Sequence, residues 1–342
     1  MTSSLLDSPV SLASPARAPA SFRRARVDAA VRHASLVTLW ASLLVVAYWW
    51  AAGGGFQALG GWETGLVSIG RLTGLLSADL LLAQVLLMAR VPVLERAYGQ
   101  DRLAGVHRWV GLTSFNLMVV HLVLITWGYA AGSLTGIPAM FWQLTWDYPG
   151  MLLAVAGSIA LVGVAVTSFR VARRRLRYES WHLLHLYAYL GVGLALPHQL
   201  WTGQEFLTPP AATVYWWSAW ATAAGAVLVW RVALPLLRSA RHRLRVTSVV
   251  DEGDGVVSVY LTGRNLHLLR AEGGQFFNWR FLDRAGWTRA HPYSLSAAPD
   301  GRSLRVSVKD LGDDSAQVRT LRPGARALVE GPYGRLTARV RT

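Results

Sequence analysis

Residues 106–130 read VHRWVGLTSFNLMVVHLVLITWGYA. Roughly 20 apolar residues cross the hydrocarbon core of a bilayer as a helix, so this stretch is long enough to span one. Beyond Arg108 at its start and Tyr129 at its end, its only ionisable groups are His107 and His121. Ionisable side chains are costly inside a membrane and are functional candidates there by default. The two imidazoles are 14 residues apart. That is nearly four helical turns, so they share one face and stand about 21 Å apart.

Five further apolar runs lie around this one: Ala34–Ala52, Leu66–Ala89, Gly150–Phe169, Trp181–Trp201 and Ala212–Leu237. The expected fold is therefore a six-span α-helical transmembrane bundle. The fifth span carries His182, His185 and His198. Spans three and five run in the same direction. This levels His107 with His185 and His121 with His198, and each pair can grip a haem iron from both sides. Bis-imidazole ligation leaves no open iron position and suits electron transfer. One detail resists the pairing, because 13 residues leave His185 and His198 about 140° apart on an ideal helix. Pro197 is where a kink or unwound turn would correct this. His182 does no better at a spacing of 16 and reads as structural. The plainer alternative is that all these histidines pack or hydrogen-bond between helices.

Charge orients the bundle. The chain has 342 residues and a net charge of +15, which first suggests a nucleic-acid partner. The distribution points elsewhere. Of the 18 basic residues before position 243, 17 lie in the N-terminal arm, in the loop after span two and the start of span three, in the loop after span four, or at the end of span six. The opposite loops hold Glu63, Asp147 and Glu205 and no cation. The positive-inside rule then gives a multi-pass protein of the cell membrane, in contact with lipid, with its N-terminus and C-terminal region in the cytoplasm and no nucleic-acid role. Cysteine is absent, which excludes disulfides, iron–sulfur clusters and covalently attached c-type haem. Arg71, in span two, is either an interfacial anchor or a cation for a haem propionate or an anionic product. Arg108 is either an edge charge or a propionate partner. Asp79 reads as a structural partner to a histidine or a hydroxyl.

After residue 242 the pattern changes to short alternating segments, Arg245–Val250, Val256–Thr262, Gln275–Leu282, Ser303–Lys309 and Ala325–Glu330, separated by turn clusters. They predict a small antiparallel β-barrel or sandwich. His291-Pro292-Tyr293-Ser294 offers a cation, an aromatic ring and a hydroxyl, as a flavin requires. Lys309 can meet a phosphate, and Gly312 to Ser315 look like a helix N-terminus that would receive pyrophosphate. The expected division is an arm at 1–33, a di-haem bundle at 34–242 and a flavin domain at 243–342.

Taken together, these residues resemble the ferric reductase/NADPH oxidase superfamily of transmembrane flavohaemoproteins. His107 and His121 on one span and His185 and His198 on another match its haem-ligand spacings. His291-Pro292-Tyr293-Ser294 matches its first flavin motif, and Lys309 with Gly312 to Ser315 its second. Gly331-Pro332-Tyr333-Gly334 resembles the turn closing its ferredoxin-reductase-like flavin domain. The resemblance implies FAD, two b-type haems and NAD(P)H as donor, with electrons relayed to dioxygen or ferric iron on the outer face. Such proteins continue into a nicotinamide-binding domain, whereas this sequence ends at Thr342. The expectation is that the NAD(P)H site lies beyond this chain, by truncation or on a separate reductase. Two rival readings stand beside the relay: a membrane cytochrome subunit carrying electrons for a partner reductase, and a transporter with a regulatory β domain.

Overall fold

The computed structural model describes residues 20–176, 178–282 and 289–334. Arg17 of the expected arm and Arg177 of the basic loop lie outside them. The first helix, α1 (Ala20–Ala52), begins well before the apolar run, so the described part of the expected arm is helical. It is followed by α2 (Trp62–Met88) and by α3 (Pro92–Tyr98), a short connector with proline in its first turn, where the missing N–H costs nothing. Next come α4 (Gln100–Tyr129), α5 (Ile137–Asp147), α6 (Met151–Ser168) and α7 (Arg170–Arg175). The helical part closes with α8 (Tyr178–Thr202), α9 (Gln204–Leu207) and α10 (Pro210–Ala226), the last continuing through a π-helical stretch, Val227–Ala233, into α11 (Leu234–His242). Pro235 accounts for the wide turn, because its ring excludes the carbonyl four residues back, that of Arg231.

Among the described residues, five helical segments are long and apolar enough to cross a membrane: Arg23–Ala52, Trp62–Met88, Gln100–Tyr129, Met151–Ser168 and Pro210–His242. The sixth expected span falls on α8, which is long enough but is not among the five. Its apolar run is broken by His182, His185, His198 and Gln199. Three imidazoles and a glutamine fall within α8, and they lower its hydropathy, whereas α4 carries two imidazoles and remains among the five.

Two helix pairs pack most extensively, α2 with α4 and α6 with α8. Small residues permit this approach: a Cβ added at Gly157 would lie 2.7 Å from the Gly191 carbonyl oxygen. Each pair includes one of the two helices that carry the candidate ligands, α4 or α8.

Among the described residues the C-terminal region holds six strands: β1 (Arg245–Gly253), β2 (Val256–Thr262), β3 (Phe276–Phe281), β4 (His291–Ser294), β5 (Ser303–Lys309) and β6 (Ala327–Tyr333). They form two antiparallel three-stranded sheets, ordered β1-β2-β5 and β4-β3-β6. The inward pairs Val257–Val308, Val259–Val306 and Leu261–Leu304 face Phe277, Trp279 and Phe281 across one apolar core. Burying side chains of this size stabilises by about 1.5–3 kcal/mol each. The expected barrel is not closed. Closure needs continuous strand pairing around the sheet, and among the described residues the two sheets are joined only by the isolated bridges Arg245–Arg326 and Leu295–Val306.

Candidate haem-binding site

Four imidazoles stand at two levels of the bundle, all half-buried. At the end nearer the sheets, the His107 and His185 rings lie 5.9 Å apart, centre to centre, with planes inclined by 71°. At the far end, His198 is within electrostatic reach of His121. The described residues therefore bring together the pairs that the spacing matched. His182 lies on the sheet side of His185, within reach of Arg231, Arg280 and Glu330.

Each of the four rings is held by Nδ1. His107 Nδ1 contacts the Gln84 carbonyl at 3.3 Å and His121 Nδ1 the Gly70 carbonyl at 2.8 Å. His198 Nδ1 contacts the Ala195 carbonyl at 2.5 Å. A carbonyl only accepts, so these nitrogens carry the proton. His185 Nδ1 meets Ser168 Oγ at 3.3 Å, while that hydroxyl donates to the Val164 carbonyl at 2.7 Å. With its single proton engaged, Ser168 accepts, and His185 too is protonated on Nδ1. All four imidazoles then present the Nε2 lone pair. Metal-ligating histidines have this arrangement, with the second ring nitrogen donating to a carbonyl or another acceptor that fixes tautomer and orientation. His107 and His185 would be the two ligands on the sheet side, their rings 5.9 Å apart and each with Nδ1 engaged. The donor set fits haem held by histidine. Among the described residues no group of three or more His, Asp or Glu could hold a bare metal ion.

The far pair is backed by glycine. A Cβ on Gly74 would come within 2.8 Å of His121 Cε1, and one on Gly150 within 2.7 Å of the His198 backbone nitrogen. Gly150 also has φ of +79°, a left-handed value that side chains rarely adopt. Between the two levels, Leu81, Met118, Leu161, Ala188, Val192 and Trp220 form an apolar waist drawn from five helices.

Arg71 follows Gly70 directly, and its guanidinium donates to the Glu205 carboxylate. The cation expected to be available at the outer end thus has a carboxylate partner 134 residues away. Asp79 accepts from Ser42 Oγ at 2.7 Å and from the Tyr215 hydroxyl, so its partners are hydroxyls. Arg108 is exposed on α4.

The flavin-type residues lie on neighbouring strands. His291 and Tyr293 are stacked with ring centres 5.9 Å apart on β4, an edge strand. Pro292 is tolerated there because an edge can lack a ladder donor, and Ser294 ends the strand. The Leu295–Val306 bridge places this end beside β5, which finishes at Lys309. The expected helix N-terminus is a single turn, α12 (Asp313–Ala316). Ser315 Oγ is already engaged there, accepting from Leu311 N at 2.8 Å and donating to the Gly312 carbonyl at 2.8 Å.

The family described as "Ferric reductase like transmembrane component" matches residues 73–196, a window that contains His107, His121 and His185 and stops two residues before His198. The chain is also 31% identical over 166 residues to the protein-methionine-sulfoxide reductase heme-binding subunit MsrQ of Cronobacter sakazakii (strain ATCC BAA-894), covering 48% of this chain and 74% of that relative. The chain belongs to the ferric reductase-like transmembrane family. With its apolar helices, that membership makes it a multi-pass membrane protein of oxidoreductase type. A second family relative, the heme-binding subunit MsrQ of Polaromonas naphthalenivorans (strain CJ2), is 29% identical over 102 residues, 29% of this chain and 43% of that protein. Among solved structures, a flavohemoglobin from Malassezia yamatoensis with bound FAD and heme overlaps 76% of this chain and 64% of that one, at 14% identity and a TM-score of 0.24. A likeness that low carries no argument about this family member.

Sequence reasoning missed Ser168, Gly74, Gly150 and the carbonyls of Gln84 and Gly70. Gly70 and Gly74, four apart on one span, are a legible small-xxx-small signal. Nothing in the sequence links Ser168 to His185.

Proposed function

We propose that this chain is a membrane haem-binding electron-transfer subunit that serves a separate reductase. His107 with His185, and His121 with His198, would each hold one b-type haem. The observation that carries this reading is the common tautomer of the four imidazoles, each with Nδ1 engaged and Nε2 presented. Bound haem of this type supplies a one-electron carrier with no open coordination position. The chain's own residues fix the rings and, through the apolar waist, keep water from the space between the two levels. The curated relatives are named as heme-binding subunits of a reductase, and this favours the cytochrome-subunit reading over a self-contained oxidase.

The arginine distribution supports a cytoplasmic sheet-side end and an outward far end. On this reading residues 34–242 form the di-haem unit and residues 243–342 the electron-entry domain. His291 to Ser294, Lys309, Gly312 and Ser315 are its proposed FAD residues, and NAD(P)H is the ultimate donor on another domain or protein. Arg71, with Glu205, borders the exit side, and Arg108 the entry side.

The test is reoxidation of purified, dithionite-reduced protein. Fast reoxidation by the catalytic subunit of a protein-methionine-sulfoxide reductase, against slow reoxidation by dioxygen or ferric chelate, is the expected result. The opposite order would restore the oxidase or ferric reductase reading. Protein without a b-type spectrum, after expression with ample haem, would overturn both.

A further inference from the structure

Charged groups are buried where the helix bundle meets the sheets, and none of them bonds to any of the four imidazoles. Glu330 on β6 is 5% exposed. Its carboxylate accepts from Arg231 Nη1 at 3.1 Å, from Asn278 Nδ2 at 3.2 Å and from the Tyr333 hydroxyl at 3.0 Å. The Arg90 guanidinium stacks over the Tyr333 ring, 4.3 Å from its centre. Arg90 also donates to Glu95 Oε1 at 2.7 Å and to Gln100 Oε1 at 3.0 Å. Beside this chain of charges, Arg238 donates to the Gly331 carbonyl, and Ser239 Oγ accepts from Val329 N at 3.1 Å.

Local structure presents these groups. Arg231 lies within the π-helical stretch, a feature often found at functional sites. Arg90 has φ of +65°, uncommon for a residue other than glycine. Burial, and then the Glu330 charge, raise the Tyr333 phenol above its ordinary value, so it remains a donor. Burial likewise raises Glu95, against the lowering effect of Arg90. A buried ion pair is weak evidence for stability, but removing one partner strands the other charge and is strongly disruptive. Such groups are better read as devices that specify one arrangement.

We propose that the chain Glu95–Arg90–Tyr333–Glu330–Arg231 is a docking lock that fixes the two-sheet domain against the bundle end beneath His107 and His185. Strand β6 is the docked edge, and β3 separates it from β4. Two inter-strand spacings, about 10 Å, thus set the residues of His291–Ser294 off from the lock. The lock's consequence for electron entry rests on the function proposed above.

The experiment uses the full chain in detergent or nanodiscs. Trypsin cleavage after Arg238 reports undocking without any cofactor, because Arg238 and Ser239 are hydrogen-bonded to Gly331 and Val329 of β6, whereas Arg241, Arg243 and Arg245 are exposed already. Glu330→Gln and Arg231→Gln should each speed this cleavage about tenfold or more. Tyr333→Phe, which keeps the ring beneath Arg90, should give a smaller increase, and Arg231→Lys should restore a rate near wild type. Haem content and its reduction by dithionite should not change, while haem reduction by reduced FAD slows in proportion to cleavage. If Glu330→Gln does not fold, Arg231→Gln and Tyr333→Phe carry the test. Wild-type cleavage rates in the folded variants would overturn the lock. Faster cleavage with unchanged reduction by FAD would uphold the lock and remove the electron-entry reading.

Discussion

The two imidazole levels are built by different means. At the far end, His121 and His198 are tied to backbone carbonyls at 2.8 and 2.5 Å and backed by Gly74 and Gly150, where no side chain fits. At the sheet-side end, both contacts are longer, at 3.3 Å, and His185 depends on a hydroxyl. That end also adjoins the charged chain through Arg231, Glu330 and His182. Backbone fixes orientation rigidly, whereas side chains can be retuned. The far site is thus a cradle, and the near site an adjustable one, next to the domain proposed to feed it.

The comparison breaks most visibly when a ligand is removed. His121→Ala or His198→Ala should lower haem from two per chain to one, and so should His107→Ala or His185→Ala, as read by a pyridine haemochrome assay. The surviving haem identifies the pair. Loss of both haems from a single substitution would mean that the two levels are not independent.

Smaller changes test the cradle. Gly150→Ala forces a Cβ toward the His198 backbone and strains a left-handed φ. It should destabilise the protein by about 1–3 kcal/mol and empty the far site before the near one. Gly74→Ala should act in the same direction through the His121 ring. Equal loss from both sites, measured by haem content during thermal unfolding, would erase the distinction.

Ser168→Ala tests the near site. Removing the acceptor of the His185 Nδ1 proton should weaken haem retention there by about tenfold, with the far haem unaffected, as followed by transfer to apomyoglobin. The smallest effect is expected at Arg319, which meets Asp251 at 2.7 Å on an exposed surface of the sheets. Arg319→Ala should change stability by less than about 1 kcal/mol in chemical denaturation. It is the control for the buried pairs.

What the sequence revealed follows the range of the interactions. Strands β2 and β5 begin and end where alternation and turn residues put them, because a half-buried strand writes its register into every second residue. Strand β4 was legible only as a motif, since Pro292 argues against a strand unless that strand is an edge. Helix ends ran past the apolar runs, at Ala20 in α1 and Gln100 in α4, because a helix can continue into water after its apolar segment ends. The spacing of the histidines pointed to two levels. The partners that give the rings their tautomer were not legible, because Gly70 lies 51 residues from His121 and Ser168 is on another helix. The Arg231–Glu330 pair, 99 residues apart, was hidden for the same reason.

The account depends on two histidine-held haems in one chain. Purified wild-type protein, assayed for haem per chain and examined by electron paramagnetic resonance in its oxidised state, measures this directly. The account predicts two haems per chain, both low-spin with bis-imidazole signatures, and no change in either signal in His182→Ala. A single haem, a high-spin five-coordinate signal, or loss of a low-spin signal in His182→Ala would contradict it.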